Sequence, residues 1–197
     1  MALDRRGFVK SVMGAGAIAA LPASAIASAD HTSLFARARR ELDRSGSRVW
    51  LKDKVGIADF SRPSRDPRFF ILDMAGGTVS SFLVAHGRGS DPEHDGWLKT
   101  FSNAQGSLAT SRGAYLTRTW YQGKYGTSMR LWGLDPDNNL AEDRAIVLHG
   151  AWYANPDMIG HWGKLGRSEG CFAVSEIALL EVMGRLGPGR LLFADRI

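Results

Sequence analysis

Apolar positions along this chain follow two periods. Leu34, Phe35, Ala38 and Leu42 recur at helical spacing behind Thr32 or Ser33 as a cap, which predicts a short amphipathic helix ending near Ser45-Gly46. Beyond it the apolar or alternating runs are short, over 55–60, 69–73, 79–85, 128–134 and 145–149. Pro63, Pro67, Gly76-Gly77, Gly87, Gly89 and Asp135-Pro136-Asp137-Asn138 punctuate them, so they read as strands joined by turns, with a hairpin at Gly76-Gly77. Near the end, Ser175 can cap a helix whose buried face is Ile177, Leu180, Met183 and Leu186, widened by Leu179 and Val182. Gly187-Pro188-Gly189 stops that helix, and 191–194 reads as a last strand. Many short strands with two helices predict a mainly β fold, a curled sheet or barrel-like sandwich and not a βαβ succession. No repeat, linker or low-complexity stretch divides residues 30–197, which are expected to form one domain.

Residues 1–29 are of a different kind. Asp4-Arg5-Arg6-Gly7-Phe8-Val9-Lys10 precedes a weakly apolar run that ends in Ala27-Ser28-Ala29, the pattern of a twin-arginine signal peptide cleaved after Ala29, or else after Ala25. Gly14, Gly16, Pro22 and Ser24 interrupt the run, which argues against a membrane helix. The expected location is the periplasm, with no stable membrane anchor after cleavage. The formal charge is +5, of which the leader carries +2, leaving about +3 on the remainder. That suits an anionic wall polymer but is too sparse for nucleic acid.

Cys171 is the one cysteine. A lone thiol in an oxidising compartment is a hazard unless it is used, although free cysteine also serves as a small buried hydrophobe. It lies 22 positions after His149, which closes the apolar run Ala145-Ile146-Val147-Leu148, and the segment between is rich in Gly, Trp and polar side chains. Such a segment can fold back and bring the thiol to the ring. A thiol is mostly protonated at neutral pH, so it needs a base, here His149, and is helped by a nearby cation, here Arg167. Gly170 lets backbone approach a substrate. The Cys171 amide, placed at or near the start of the last helix, can face an oxyanion, and the Gly150 carbonyl can orient the His149 ring.

The stretch resembles the murein L,D-transpeptidase catalytic-domain family (YkuD-like), whose signature is His-Gly, a loop, then Ser-x-Gly-Cys. Here that is His149-Gly150 and Ser168-Glu169-Gly170-Cys171, closest to the branch with Gly-Arg-Ser-x-Gly-Cys. Residues 84–90, 101–103, 121–126 and 131–134 add to the likeness. The resemblance implies Cys171 as nucleophile and His149 as base. It implies an attack on peptidoglycan stem peptide that releases D-alanine and passes the acyl group to an amine. The sequence shows no cofactor motif, and a monomer without cofactor is expected. Two positions depart from the family pattern. Glu169 stands where many members have a second histidine, and Phe172 where the closest branch has proline. They leave room for two alternatives: an L,D-carboxypeptidase or endopeptidase that uses water, and a wall-binding module without turnover.

Among other candidates, His86, Arg167, Ser168 and Trp152 are expected to contact substrate, and Arg112 or Arg118 can hold a carboxylate. Asp91, Glu93, Asp95 and Gly96 echo a calcium loop but lack the glutamate at its twelfth position, and the histidines show no zinc spacing, so no metal is expected. Most of the tryptophans are expected in the core, with Trp152 and Trp162 flanking the site.

Overall fold

The computed structural model describes residues 23–124 and 126–197, and the arginine pair of the leader lies outside them. Alternation builds the sheet. In β2 (Phe69–Asp73), Phe69 and Ile71 face one apolar cluster while Phe70 and Leu72 face another. In β8 (Leu191–Asp195), Leu192 and Ala194 take the first side, Leu191 and Phe193 the second. The other strands are β1 (Lys54–Asp59), β3 (Val79–Phe82), β4 (Gly113–Gly123), β5 (Gly126–Gly133), β6 (Val147–Gly150) and β7 (Phe172–Val174). Together they form one eight-stranded mixed sheet in the order β3-β2-β1-β8-β4-β5-β6-β7, parallel at β1–β8 and β6–β7.

The first face buries the main core, including Phe60, Tyr115, Met129 and Phe172, beneath α3 (Leu179–Leu186). The second is covered at the β1 and β8 end by α1 (Ala23–Ser45), through Leu34, Ala38 and Leu42. Arg44 ties the end of α1 to Asp135 at 2.8 Å. The chain leaving edge strand β3 then crosses to the opposite edge, where the Ala85 amide donates to the Ala173 carbonyl at 2.8 Å. The segment after β3 thus reaches β7 and the turn before it through two isolated bridges, and the sheet itself does not close into a barrel. No described helix is long and apolar enough to cross a membrane.

Several expectations need correction. Thr32 and Ser33 are interior to α1, which begins at Ala23. The buried face of α3 is Val182, Met183 and Leu186 with Leu179 partly buried, whereas Ile177 precedes the helix and Leu180 is 73% exposed. Ser175 does accept the Ala178 amide, at 3.1 Å. The longest strand, β4, carries Thr117, Arg118, Thr119 and Gln122 and an irregularity that breaks its alternation. The 151–171 segment contains α2 (Asp157–Trp162) and makes one β-α-β crossover between parallel neighbours. All six tryptophans are 40–58% exposed, because they sit on outward-facing strand positions and loops and not in the core.

Candidate active site

Strand register puts the imidazole and the thiol on one side of the sheet. β6 and β7 pair Leu148 with Phe172 and His149 with Ala173, and both Leu148 and Phe172 point into the main core. Their sequence neighbours His149 and Cys171 must therefore point the other way. Extending the register one step back sets Cys171 level with Val147, diagonal to His149. Both residues line a cavity of about 400 Å³, with Tyr121, Lys124, Arg144, Ala145, Val147, Tyr153, Arg167, Ser168 and Glu169.

His149 is almost fully buried, and its Nδ1 lies 2.9 Å from the Gly150 carbonyl oxygen. A carbonyl can only accept, so Nδ1 carries the proton and Nε2 keeps its lone pair. Burial holds the imidazole below its ordinary pKa, partly offset by the Gly150 carbonyl, so the ring is neutral at pH 7.

Cys171 is 8% exposed, with Sγ 3.5 Å from the Ala145 carbonyl oxygen. Burial pushes the thiol up and the Glu169 charge adds to this, against the Val147 backbone N–H and, more weakly, the Arg144 and Lys124 charges. The thiol and the imidazole that line this cavity are therefore both neutral at rest. Ala145 holds a φ of 53°, a left-handed conformation that costs an alanine about 1 kcal/mol, and so aims its carbonyl at the sulfur.

The cations acting on the sulfur are not Arg167 but Lys124 and, more strongly, Arg144. Its guanidinium is gripped by the Ser102 carbonyl (2.7 Å), Ser107 Oγ (3.1 Å), Ser111 Oγ (2.5 Å) and the Ala109 carbonyl (2.5 Å). All four partners are neutral, so its charge is left for the cavity. Arg167 reaches away to the carbonyls of Asp91 and Pro92. A charged residue just before an apolar strand was the one available signal for Arg144.

Other expected roles change as well. Cys171 precedes a strand, and the last helix begins only at Leu179, so no helix N-terminus faces the thiol. The Gly170 N–H is donated to Ser168 Oγ at 3.2 Å, which removes it as an oxyanion donor. Gly170 is required for another reason. Its φ is 119°, and an added Cβ would lie 2.9 Å from the Ala109 carbonyl oxygen. The Gly150 carbonyl, by contrast, does orient the His149 ring, accepting from its Nδ1 at 2.9 Å. Ser168 is buried and donates to the Cys171 carbonyl at 2.6 Å, so it clasps the 168–171 turn and is not free to grip a substrate.

His86 does not line the cavity. Arg68 donates to its Nδ1 at 2.7 Å and Asp91 Oδ2 lies 3.4 Å from Nε2, within the fully buried interior. Burial takes this imidazole down to about 4 and Arg68 down to about 9. The group supports the 168–171 turn, since the Ser168 amide donates to the His86 carbonyl at 2.9 Å. Trp152 lies outside the cavity wall, edge-on to Tyr153, which does line it. Arg112 pairs with Asp195 at 3.3 Å.

The two departures leave the cavity open. Glu169 is exposed and pairs with Arg88 at 3.0 Å. Phe172 is fully buried on the opposite face, 5.4 Å from the Tyr115 ring and 6.2 Å from Phe60. Phe172→Ala should lower unfolding stability by about 3–5 kcal/mol, read as a lower urea midpoint at unchanged slope. No group of three or more His, Cys, Asp or Glu among the described residues is placed to hold a metal ion.

Comparison with known proteins brings these observations to a family. A comparison with curated proteins finds no match. Solved structures that are similar include an L,D-transpeptidase from Mycobacterium smegmatis (14% identity, 73% of this chain and 58% of that one, TM-score 0.43). Another is an L,D-transpeptidase from Mycobacterium tuberculosis H37Rv (15%, 73% and 57%, 0.47). A third is an L,D-transpeptidase in complex with imipenem (13%, 73% and 59%, 0.44). The chain thus spans under two thirds of the length of these proteins. The family model for the L,D-transpeptidase catalytic domain matches residues 27–194, which takes in every strand but the last residue of β8. A His149–Cys171 pair facing one cavity lies within that match, and the chain belongs to the L,D-transpeptidase catalytic-domain family.

Proposed function

We propose that this chain is an exported, monomeric L,D-transpeptidase-like enzyme acting on peptidoglycan stem peptides in the periplasm. The observation that carries this reading is that His149, its Nδ1 committed to Gly150, shares a cavity with the lone thiol of Cys171. As sulfur attacks the scissile carbonyl, Nε2 of His149 takes the thiol proton. The Cys171 amide is the oxyanion donor in this reading. Collapse of the tetrahedral intermediate breaks the C–N bond, and His149 returns the proton to the departing D-alanine amine. An acceptor amine then attacks the thioester, its proton passes to His149, and the thiol is restored.

The water-using alternative differs only in the second half-reaction. The full chain is incubated with purified stem tetrapeptide and an amine acceptor, and the products are weighed. Loss of D-alanine with a new amide supports transfer, and loss with gain of water supports hydrolysis. No product together with no imipenem adduct on Cys171 supports a wall-binding module. Export is tested separately: changing Arg5 and Arg6 to lysine should leave the precursor in the cytoplasm, seen by fractionation, and normal export of that variant would remove the twin-arginine reading.

A further inference from the structure

The face that carries Cys171 and His149 continues beyond the cavity. Tyr121, on the cavity wall, lies 4.3 Å from the Arg130 guanidinium. Arg130 joins Arg118 and Trp132 in lining an adjoining groove of about 220 Å³. Arg118 in turn lies over the Trp132 ring at 5.0 Å and the Trp50 ring at 5.3 Å.

Register explains the common side. Ser128 pairs with His149 and Arg130 with Val147, so Arg130, and Trp132 two positions on, stand on the catalytic face. In a regular strand Arg118 and Tyr121 would point to opposite faces. Between Thr117 and Trp120, however, β4 takes three steps while β5 takes two, and the extra residue turns both toward this side. Trp50 and Trp132 are 58% and 49% exposed, so each indole keeps open surface beside that covered by Arg118. Neither Arg118 nor Arg130 has an ion-pair partner among the described residues.

Flat indoles match the C–H faces of pyranose rings. Unpaired guanidinia offer forked donors to acetamido carbonyls and carboxylates. A purely apolar partner would leave those charges unmet. A nucleic acid needs many phosphate contacts, and two arginines with Glu142 beside them supply few. We propose that the track Tyr121–Arg130–Trp132–Arg118–Trp50 binds the glycan strand of peptidoglycan. A stem peptide whose reacting end lies at Cys171 leads outward to its sugar, and this track is a surface that continues from the cavity and carries guanidinia as well as indoles. The choice of occupant rests on the wall-peptide reading above.

The test uses peptide-free glycan strands titrated into the full chain, followed by tryptophan fluorescence and confirmed by calorimetry. Saturable binding is expected, weakened about tenfold or more in Trp50→Ala/Trp132→Ala. Both positions are exposed, so the thermal midpoint of the variant should stay near that of the parent; Arg130→Gln gives an independent second variant that should also weaken binding. No binding by the parent, equal binding by both variants, or equal competition by single-stranded DNA would overturn the proposal. Imipenem acylation of Cys171 in the same preparation reports separately on the enzyme reading. Strand binding without acylation keeps the track and removes the enzyme; acylation without strand binding removes the track alone.

Discussion

Cys171→Ser is expected to end acylation by imipenem, lowering its rate by roughly 10³-fold or more while the chain still folds. Serine differs from cysteine by one atom, and its hydroxyl can donate to the Ala145 carbonyl that now lies 3.5 Å from the sulfur. The cost in stability should be about 1 kcal/mol, a shift in thermal midpoint of about 2–4 °C. The loss of reactivity has a different origin. A hydroxyl is far less acidic than a thiol, and neutral His149 is too weak a base to compensate, because burial has lowered its proton affinity. Intact mass spectrometry checks the result directly. Since no other cysteine exists in the chain, an adduct forming at the parent rate would place the nucleophile on another residue type and end the thioester mechanism.

Much of this arrangement was legible in local pattern, and what was hidden depended on contacts between distant segments. The strands over 69–73 and 191–194 show because all their positions but Asp73 are apolar and both faces are buried, and the run ending at His149 shows for the same reason. The β4 strand escaped because its irregularity interrupts period two and its outer half is solvent-facing. Strand β7 escaped because three residues carry no periodicity. Within the site, the single cysteine and the strand-end histidine stand out by type and position. Arg144 did not, because the groups that hold it come from residues 102–111, at least 33 positions away. Ser168 and His86 read as substrate contacts in the sequence because a polar side chain in a motif looks available until its partners are known. Their partners are the Cys171 carbonyl and the Arg68 guanidinium. The tryptophans misled in the opposite sense, since indole area predicts burial and here all six remain substantially exposed.

His149→Ala should slow acylation by about 10²–10⁴-fold at pH 7, and it should also change the shape of the pH profile. In the parent, the active form of the base is neutral imidazole. Its pKa is held below the ordinary value of about 6.5, so the rate should stay level on acidification from pH 7 and fall only once pH passes below that value. Without the ring, reaction depends on the thiolate alone. Burial places the Cys171 thiol above its ordinary pKa, so the variant's rate should climb about tenfold per pH unit through neutrality and level off only above that value. Added imidazole, small enough for the space left by the side chain, should restore part of the neutral rate. The lost N–H to the Gly150 carbonyl costs about 1–3 kcal/mol, so folding is verified by thermal melt before rates are compared. A variant that keeps the parent's rate and its flat neutral profile, and ignores added imidazole, would show that another group takes the proton from Cys171.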